Sequence, residues 1–318
     1  MFEIRTDLAV EEKESFPGNG GEVTGVSLRE WRKAFSKIKL TEVAILDEQG
    51  ARAMGKPKGV YITMEARELS KDDPGYHREV SGELAAQLKR MVKELRRHKL
   101  VPEERIHVLA VGLGNPSVTP DALGPQVLGN LQVNRRMSDG ERVILSGIVP
   151  GVMAQTGMET AEILKGIIHE TRPDLVIAID ALAARSIRRL GTTVQLTNTG
   201  IHPGSGVGNH RHSLTMESLG IPVLAIGVPT VVGAAAIVHD TISTLIGTLV
   251  SQAQTEKMGD FLEQLSPEEQ YQLICELLEP EFGALYVTPP DIDQTVKRLS
   301  YTISEGIHMA FYPKWGTD

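Results

Sequence analysis

Between residues 107 and 250 the chain repeats one pattern: a short run that is apolar at every position, a loop holding Gly, Pro or Asp, and often a stretch with helical spacing. The runs are His107 to Gly112, Val143 to Val149, Leu175 to Asp180 and Ile221 to Gly227. Strands without a polar face are buried on both sides, so the pattern predicts an α/β fold, a mostly parallel sheet flanked by helices on both faces. Apolar periodicity predicts helices at about 121–131, 158–171 and 233–252, and amphipathic closing helices near 258–279 and 291–311. Upstream, Leu84, Leu88, Met91, Val92 and Leu95 mark one amphipathic helix over 77–99. From Val23 to Ala66 short apolar runs alternate with Gly and Lys-Pro turns, which predicts strands, an amino-terminal β-rich extension. Residues 12–22 are rich in Glu and Gly and read as a mobile arm. With no linker, repeat or low-complexity tract, the expected organisation is one α/β domain. Residues 8–100 form its extension and first helix, and residues 101–318 its central sheet and closing helices.

Composition narrows the class without changing this picture. The 318 residues, 41% hydrophobic and 23% charged, are those of an ordinary folded protein. A net charge of −8 with no basic cluster larger than Arg96-Arg97-His98-Lys99 argues against direct nucleic-acid binding. A single cysteine, Cys275, in a helical apolar stretch reads as a buried core thiol and suits a reducing compartment, the cytoplasm. The start lacks a signal-peptide pattern and no apolar run reaches a spanning length, so no membrane contact is expected.

In open parallel sheets catalytic groups gather outside the carboxyl ends of the strands, because the loops leaving those ends converge there. Two carboxylates stand out on such loops. Asp121 opens a helix after the loop that starts at Gly112, and Asp180 ends an apolar strand where a charge is costly to bury. Two neighbouring carboxylates do not both ionise easily, so one can keep a proton while the other activates water. The plain alternatives are a helix N-cap for Asp121 and, for Asp180, bonds to loop amides or a pair with Arg185. The Gly-rich segment around Gly204 and Ser205 is a flexible loop or a place where backbone approaches a ligand. The spacing of His202, His210 and His212 on it matches no metal pattern.

Several of these stretches carry a specific likeness. Val111-Gly112-Leu113-Gly114-Asn115, Ser117 through Pro125, Ile148-Val149-Pro150-Gly151-Val152-Met153, Ile179 through Ser186, and Gly200 through Asn209 resemble the germination protease family of spore-forming bacteria. The likeness extends from Arg5-Thr6-Asp7-Leu8-Ala9-Val10-Glu11 to Val287-Thr288-Pro289. It implies an atypical aspartic endopeptidase without cofactor or metal, with Asp121 and Asp180 catalytic and Asn115, Thr119, Arg185, His202, Gly204 and Ser205 on supporting or substrate-binding loops. It also implies a homotetramer in the forespore or spore core whose substrates are small acid-soluble spore proteins, cut after an acidic residue and before a large apolar residue followed by Ala. Thr6-Asp7-Leu8-Ala9-Val10-Glu11 resembles such a substrate, so a zymogen that removes residues 1–7 by cleavage between Asp7 and Leu8 is expected. The stretch from Ser251 to Pro280 is shorter than the family's.

Other readings stay open on sequence. Gly-x-Gly-Asn before an acidic residue also resembles hydrogenase maturation endopeptidases, where Asp121, Asp180 and His202 would be nickel ligands. Val111 to Pro116 looks like the opening of peptidyl-tRNA hydrolases, against which the acidic surface argues. A non-enzymatic small-molecule-binding α/β protein would explain the Gly-rich loops but not the substrate-like arm.

Overall fold

The computed structural model describes residues 6–16, 23–32, 37–135, 141–203, 212–251, 269–271, 273–274, 276 and 285–312, with side chains omitted over 243–251. Its centre is a nine-stranded sheet. The strands are β1 Val26–Arg32, β2 Lys39–Ile45, β3 Gly59–Glu65, β4 Ile106–Gly112, β5 Val143–Ile148, β6 Leu175–Ala184, β7 Thr193–Thr197, β8 Val223–Gly233 and β9 Tyr286–Val287. They lie in the order β1-β2-β3-β7-β8-β6-β4-β5, with β9 against β8. From β8 through β6 and β4 to β5 the pairs are parallel, whereas β1, β2, β3, β7 and β8 pair antiparallel in series.

The apolar runs become the parallel half because each side of it is covered. On β6, Ile177 and Ile179 point to one face and Val176 and Ala178 to the other, as strand alternation requires. The first face packs on the long helices described here as α3 (Pro74–Arg97) and α9 (Ile292–Phe311), after α1 (Ala9–Glu14) and α2 (Glu48–Met54) in chain order. Leu84, Leu88, Val296, Leu299 and Ile303 of these helices are fully enclosed there. Each such side chain contributes about 1.5–3 kcal/mol. The same face takes α4 (Leu123–Asn130) through Leu123 and Val127. The other face is closed by Ala161 and Leu164 of a helix over Thr160–Thr171 and by Leu219. Helix α3 starts where Asp73 accepts the Tyr76 N–H at 3.1 Å, with Pro74 in the first turn, and ends on Arg96 and Arg97, which suit the negative end of its dipole.

The α/β class, the amino-terminal strands and most helix positions match the expectation from sequence. Three features differ. The amino-terminal strands are part of the one sheet, because β3 pairs with β7 from Tyr61↔Thr197 to Glu65↔Thr193. The intervening Thr193-Val194-Gln195-Leu196-Thr197 is half polar and was not among the predicted strands. Strand β6 also does not stop at Asp180, since pairing with β8 carries it on to Ala184.

Thirdly, of the stretch 12–22 expected to be mobile the described part, residues 12–16, continues a docked amino-terminal segment that starts at residue 6, and residues 17–22 lie outside the described residues. Leu8, Ala9 and Val10 are buried, and α1 begins at Ala9. Leu8 and Val10 fill an apolar patch made by Leu182, Ala184 and Ile201, while Ala9 packs among Val43, Ile45, Met54 and Tyr61. Burial of Leu8, Ala9 and Val10, just ahead of the stretch whose composition reads as mobile, holds this segment in place. Cys275 and most of the helix expected over 258–279 lie outside the described residues.

Candidate active site

Asp180 sits where the sheet opens. Strand β4 pairs with β6 as far as Gly112↔Ile179 and then turns away, the Leu113 N–H donating to the Ile179 carbonyl at 2.8 Å. Beyond that point β6 keeps only β8 beside it, leaving a crevice at the carboxyl end of the parallel strands. Asp180 is 6% exposed in this crevice, and its Oδ1 accepts the N–H of Ala181 at 2.9 Å. A carboxylate so enclosed needs hydrogen bonds to be tolerated, and this is one of them.

Asp121 lies on the loop leaving β4, in a single 3₁₀ turn, Thr119–Asp121, that precedes α4. It does not cap α4, whose N-cap residue is Ala122. Its Oδ2 instead accepts the N–H of Asn115 at 2.6 Å and closes the loop on itself. Asn115 Oδ1 in turn accepts from the Ser117 N–H at 3.0 Å and the Gln155 side-chain amide at 3.0 Å. Thr119 contributes its carbonyl to the Ala122 N–H. One glycine lets this loop close on itself and a second brings it against β6. Gly114 has φ +108°, and a Cβ there would stand 1.9 Å from the Asp121 carbonyl oxygen. A Cβ on Gly124 would stand 2.6 Å from the Ile179 carbonyl oxygen, so the start of α4 lies against the residue preceding Asp180.

The other expected residues fall on the neighbouring loops. Arg185 gives its main-chain N–H to Glu11 Oε2 at 2.8 Å. His202 is held below the usual imidazole range, first by desolvation and then by the Lys56 ammonium, with Asp7 opposing. Gly204 and Ser205 lie outside the described residues. Among the described residues no three of His, Cys, Asp and Glu cluster as metal ligands would, so Asp121, Asp180 and His202 do not form a ligand set.

The docked arm brings in residues that sequence reasoning did not single out. The Asp7 N–H donates to the Ala183 carbonyl at 3.1 Å, and Asp7 Oδ2 accepts the Ala183 N–H at 2.9 Å. The Asp7 carbonyl oxygen accepts from Gln195 Nε2 at 3.0 Å and Lys56 Nζ at 3.3 Å. The Leu8 N–H donates to Thr6 Oγ1 at 3.1 Å, and the Ala9 N–H to Gln195 Oε1 at 2.8 Å. Glu11, 3% exposed, accepts from the Thr6 hydroxyl, from the N–H groups of Arg185 and Ser186, and pairs with Arg189 Nε at 3.3 Å. Desolvation outweighs these partners and pushes its carboxyl above the usual range. Arg189 also binds Glu14 at 2.6 Å and Glu65 at 2.7 Å, joining the arm to β3. The only sequence signal for Gln195 was its place among alternating Thr and apolar residues. Glu11 stood only as the end of the substrate-like stretch, with no sign of its burial, and Arg189 had no signal.

A family description, germination protease, matches residues 3–260. The chain belongs to the germination protease family. Members of that family are peptidases, so the chain is a hydrolase, a protease of spore germination. The germination protease of Caldanaerobacter subterraneus subsp. tengcongensis is 48% identical, over 98% of this chain and 94% of its own length. Those of Priestia megaterium and Bacillus subtilis are each 36% identical, over 98% and 99% of this chain and 94% and 95% of their own. Among the described residues no helix is long and apolar enough to cross a membrane.

Proposed function

We propose that the chain is the endopeptidase that begins the degradation of small acid-soluble spore proteins in the spore core at germination, and that it uses Asp121 and Asp180 without a metal. The observation that carries this reading is the attachment of the Asp121 loop to β6 beside Asp180, through the Leu113 to Ile179 hydrogen bond and the close approach of Gly124. The reading requires that both carboxyls border the crevice where a substrate backbone would enter.

In this reading one carboxyl keeps its proton and donates a hydrogen bond to the scissile carbonyl oxygen, while the other, ionised, takes a proton from water. The water oxygen bonds to the carbonyl carbon. The tetrahedral intermediate then breaks its C–N bond as the amine accepts a proton from a carboxyl group. No covalent enzyme intermediate forms.

The chain is also made, on this proposal, as a zymogen with residues 1–7 as propeptide and 8–318 as the catalytic domain, cut by itself between Asp7 and Leu8. Assembly as a homotetramer rests on the resemblance alone. Intact mass before and after incubation at mildly acidic pH tests the reading, with Asp121→Asn and Asp180→Asn variants alongside. Loss of residues 1–7 from the parent alone is the expected result. A parent that stays whole and cuts no spore protein overturns it.

A further inference from the structure

We infer that the cleft now filled by Asp7, Leu8 and Ala9 is the cleft that reads substrate in trans, with Lys56, Ala183 and Gln195 holding the peptide and the patches around Leu8 and Ala9 choosing its side chains. This rests on the peptidase reading above and adds the residues that would choose the sequence.

The cleft treats its three occupants differently. The carboxylate of Asp7 meets a main-chain N–H, that of Ala183, and its carbonyl oxygen meets the ammonium of Lys56 and the side-chain amide of Gln195. The Ala183 N–H suits a short acceptor side chain, and Lys56, which also donates to the Thr6 carbonyl at 3.2 Å, holds the peptide by its main chain. Leu8 is fully buried on Leu182, Ala184 and Ile201, a patch that rewards an apolar side chain of its size. Ala9 is fully buried among Val43, Ile45, Met54 and Tyr61, where a larger side chain has no room. The main-chain contacts fix the direction of the peptide: Asp7 pairs both ways with Ala183, and one Gln195 side chain bonds both Asp7 and Ala9.

The cleft also adjoins the candidate carboxylates. Asp180 is in register with Gly227, and Gly227 with Gln195, across the neighbouring strands β6, β8 and β7. That places the two backbones two strand spacings, about 10 Å, apart. On β6, Leu182 and Ala184 alternate with the same phase as Asp180, so Leu8 lies on the Asp180 face of the sheet. Gly227 offers no side chain between them, and Leu182 leans into the space: a Cβ at Gly227 would stand 2.4 Å from its Cδ1. A peptide lying where the arm lies passes alongside Asp180, with the carbonyl oxygen of its acidic residue already held by two donors.

In this conformation the arm occupies the site. Helix α1 begins at Ala9, and Glu11 and Arg189 anchor it, so a peptide in trans enters only when the arm leaves.

The test is a binding measurement, which does not depend on hydrolysis. A fluorescent peptide Thr-Asp-Leu-Ala-Val-Glu is titrated by anisotropy into the full chain carrying Asp180→Asn, with and without Leu8→Asp, a change that expels the arm by burying a charge. Circular dichroism and melting show that each variant folds. The peptide is expected to bind the Leu8→Asp chain at least tenfold tighter than the chain with its arm in place. Adding Lys56→Met should weaken this peptide and the same peptide with Asn for Asp alike, tenfold or more, with Lys56→Arg restoring most of the loss, and Leu in place of the peptide's Ala should cost tenfold or more in every chain. Equal binding to both arm states, no loss on Lys56→Met, or a peptide with Leu for Ala that binds as well, overturns the inference. Peptide that binds as expected to a chain whose parent neither trims itself nor cuts spore protein would retain the cleft and remove the peptidase reading.

Discussion

Asp121 and Asn115 face each other across a tight loop, the carboxylate Oδ2 accepting the Asn115 main-chain N–H at 2.6 Å. The bond spans Gly114, whose φ of +108° only glycine adopts without strain and whose missing Cβ leaves room for the Asp121 carbonyl. The candidate acid is thus positioned by backbone geometry that one substitution removes.

Gly114→Ala should therefore open this loop. Strain of this kind costs about 1–3 kcal/mol, a cost the fold survives, while displacement of Asp121 by about an ångström lowers cleavage of a spore-protein substrate by 10²-fold or more. Melting temperature and kcat/KM measured together check it, and normal activity would show that Asp121 is not needed in this position.

Arg189 is the cation beside buried Glu11, whose carboxyl also accepts from Thr6 and the Arg185 and Ser186 amides, and it joins Glu14 and Glu65 as well. Arg189→Met leaves a buried carboxylate without its cation, a loss of about 3–5 kcal/mol for enclosed pairs, with the part due to exposed Glu14 small. Urea unfolding should show that loss, and limited proteolysis should find the segment 6–16 cut faster. Adding Glu11→Gln should recover part of the stability, because the uncompensated charge is then gone.

Three histidines set the response to acid. Desolvation holds His107, His202 and His308 below the ordinary imidazole value of 6.5. His308 is buried beside Tyr312, and its Nε2 accepts the Gln132 N–H at 3.0 Å, which requires that nitrogen unprotonated. Because the unfolded chain binds these protons more readily, their contribution is present above 6.5 and is lost as pH falls through the lower native values. Glu11 has the opposite sign: raised above 4.5 in the native state, it favours folding below that value and loses this contribution as pH rises through its native value. Stability measured at several pH values from 7.5 down should fall by up to about 1.4 kcal/mol per pH unit for each proton bound. His308→Gln, which keeps an acceptor for Gln132, should flatten that slope, and an unchanged slope would remove His308 as a contributor.

Gly227→Ala tests the space between Asp180 and Gln195. The added methyl meets Leu182, whose displacement disturbs the patch under Leu8. The proposed self-trimming at Asp7, read by intact mass, should slow several-fold, with about 1–3 kcal/mol of stability lost because buried Leu182 has to be displaced as far as its Cγ, 2.6 Å from the new methyl. Unaltered trimming would place the peptide elsewhere.

How much was legible in the chain differs between elements. The parallel strands and long helices were, because β4, β6 and β8 are apolar on both faces and Leu84, Leu88 and their neighbours repeat at helical spacing. Asp121 and Asp180 were legible as carboxylates on loops after such strands. The true end of β6 was not, because what extends it past Asp180 is pairing with β8, a partner about fifty residues away, and local pattern does not encode which distant strand lies alongside. The same holds for β7, a half-polar strand stabilised by β3 and β8 on either side.

By itself the sequence determined the fold class, the periodic elements and the types of residue that stand at the loop ends, since these follow from local spacing and side-chain chemistry. Only the tertiary structure decided that the arm lies docked with Leu8 enclosed, that Gln195 and Lys56 meet the Asp7 carbonyl, and that Arg189 joins Glu11 to Glu65. Residues 7 and 195 become neighbours because Asp7 pairs with Ala183 on β6, which pairs with β8, which pairs with β7. A contact reached through three pairings, each between segments far apart in the chain, is a property of the assembled sheet and leaves no local trace in the order of residues.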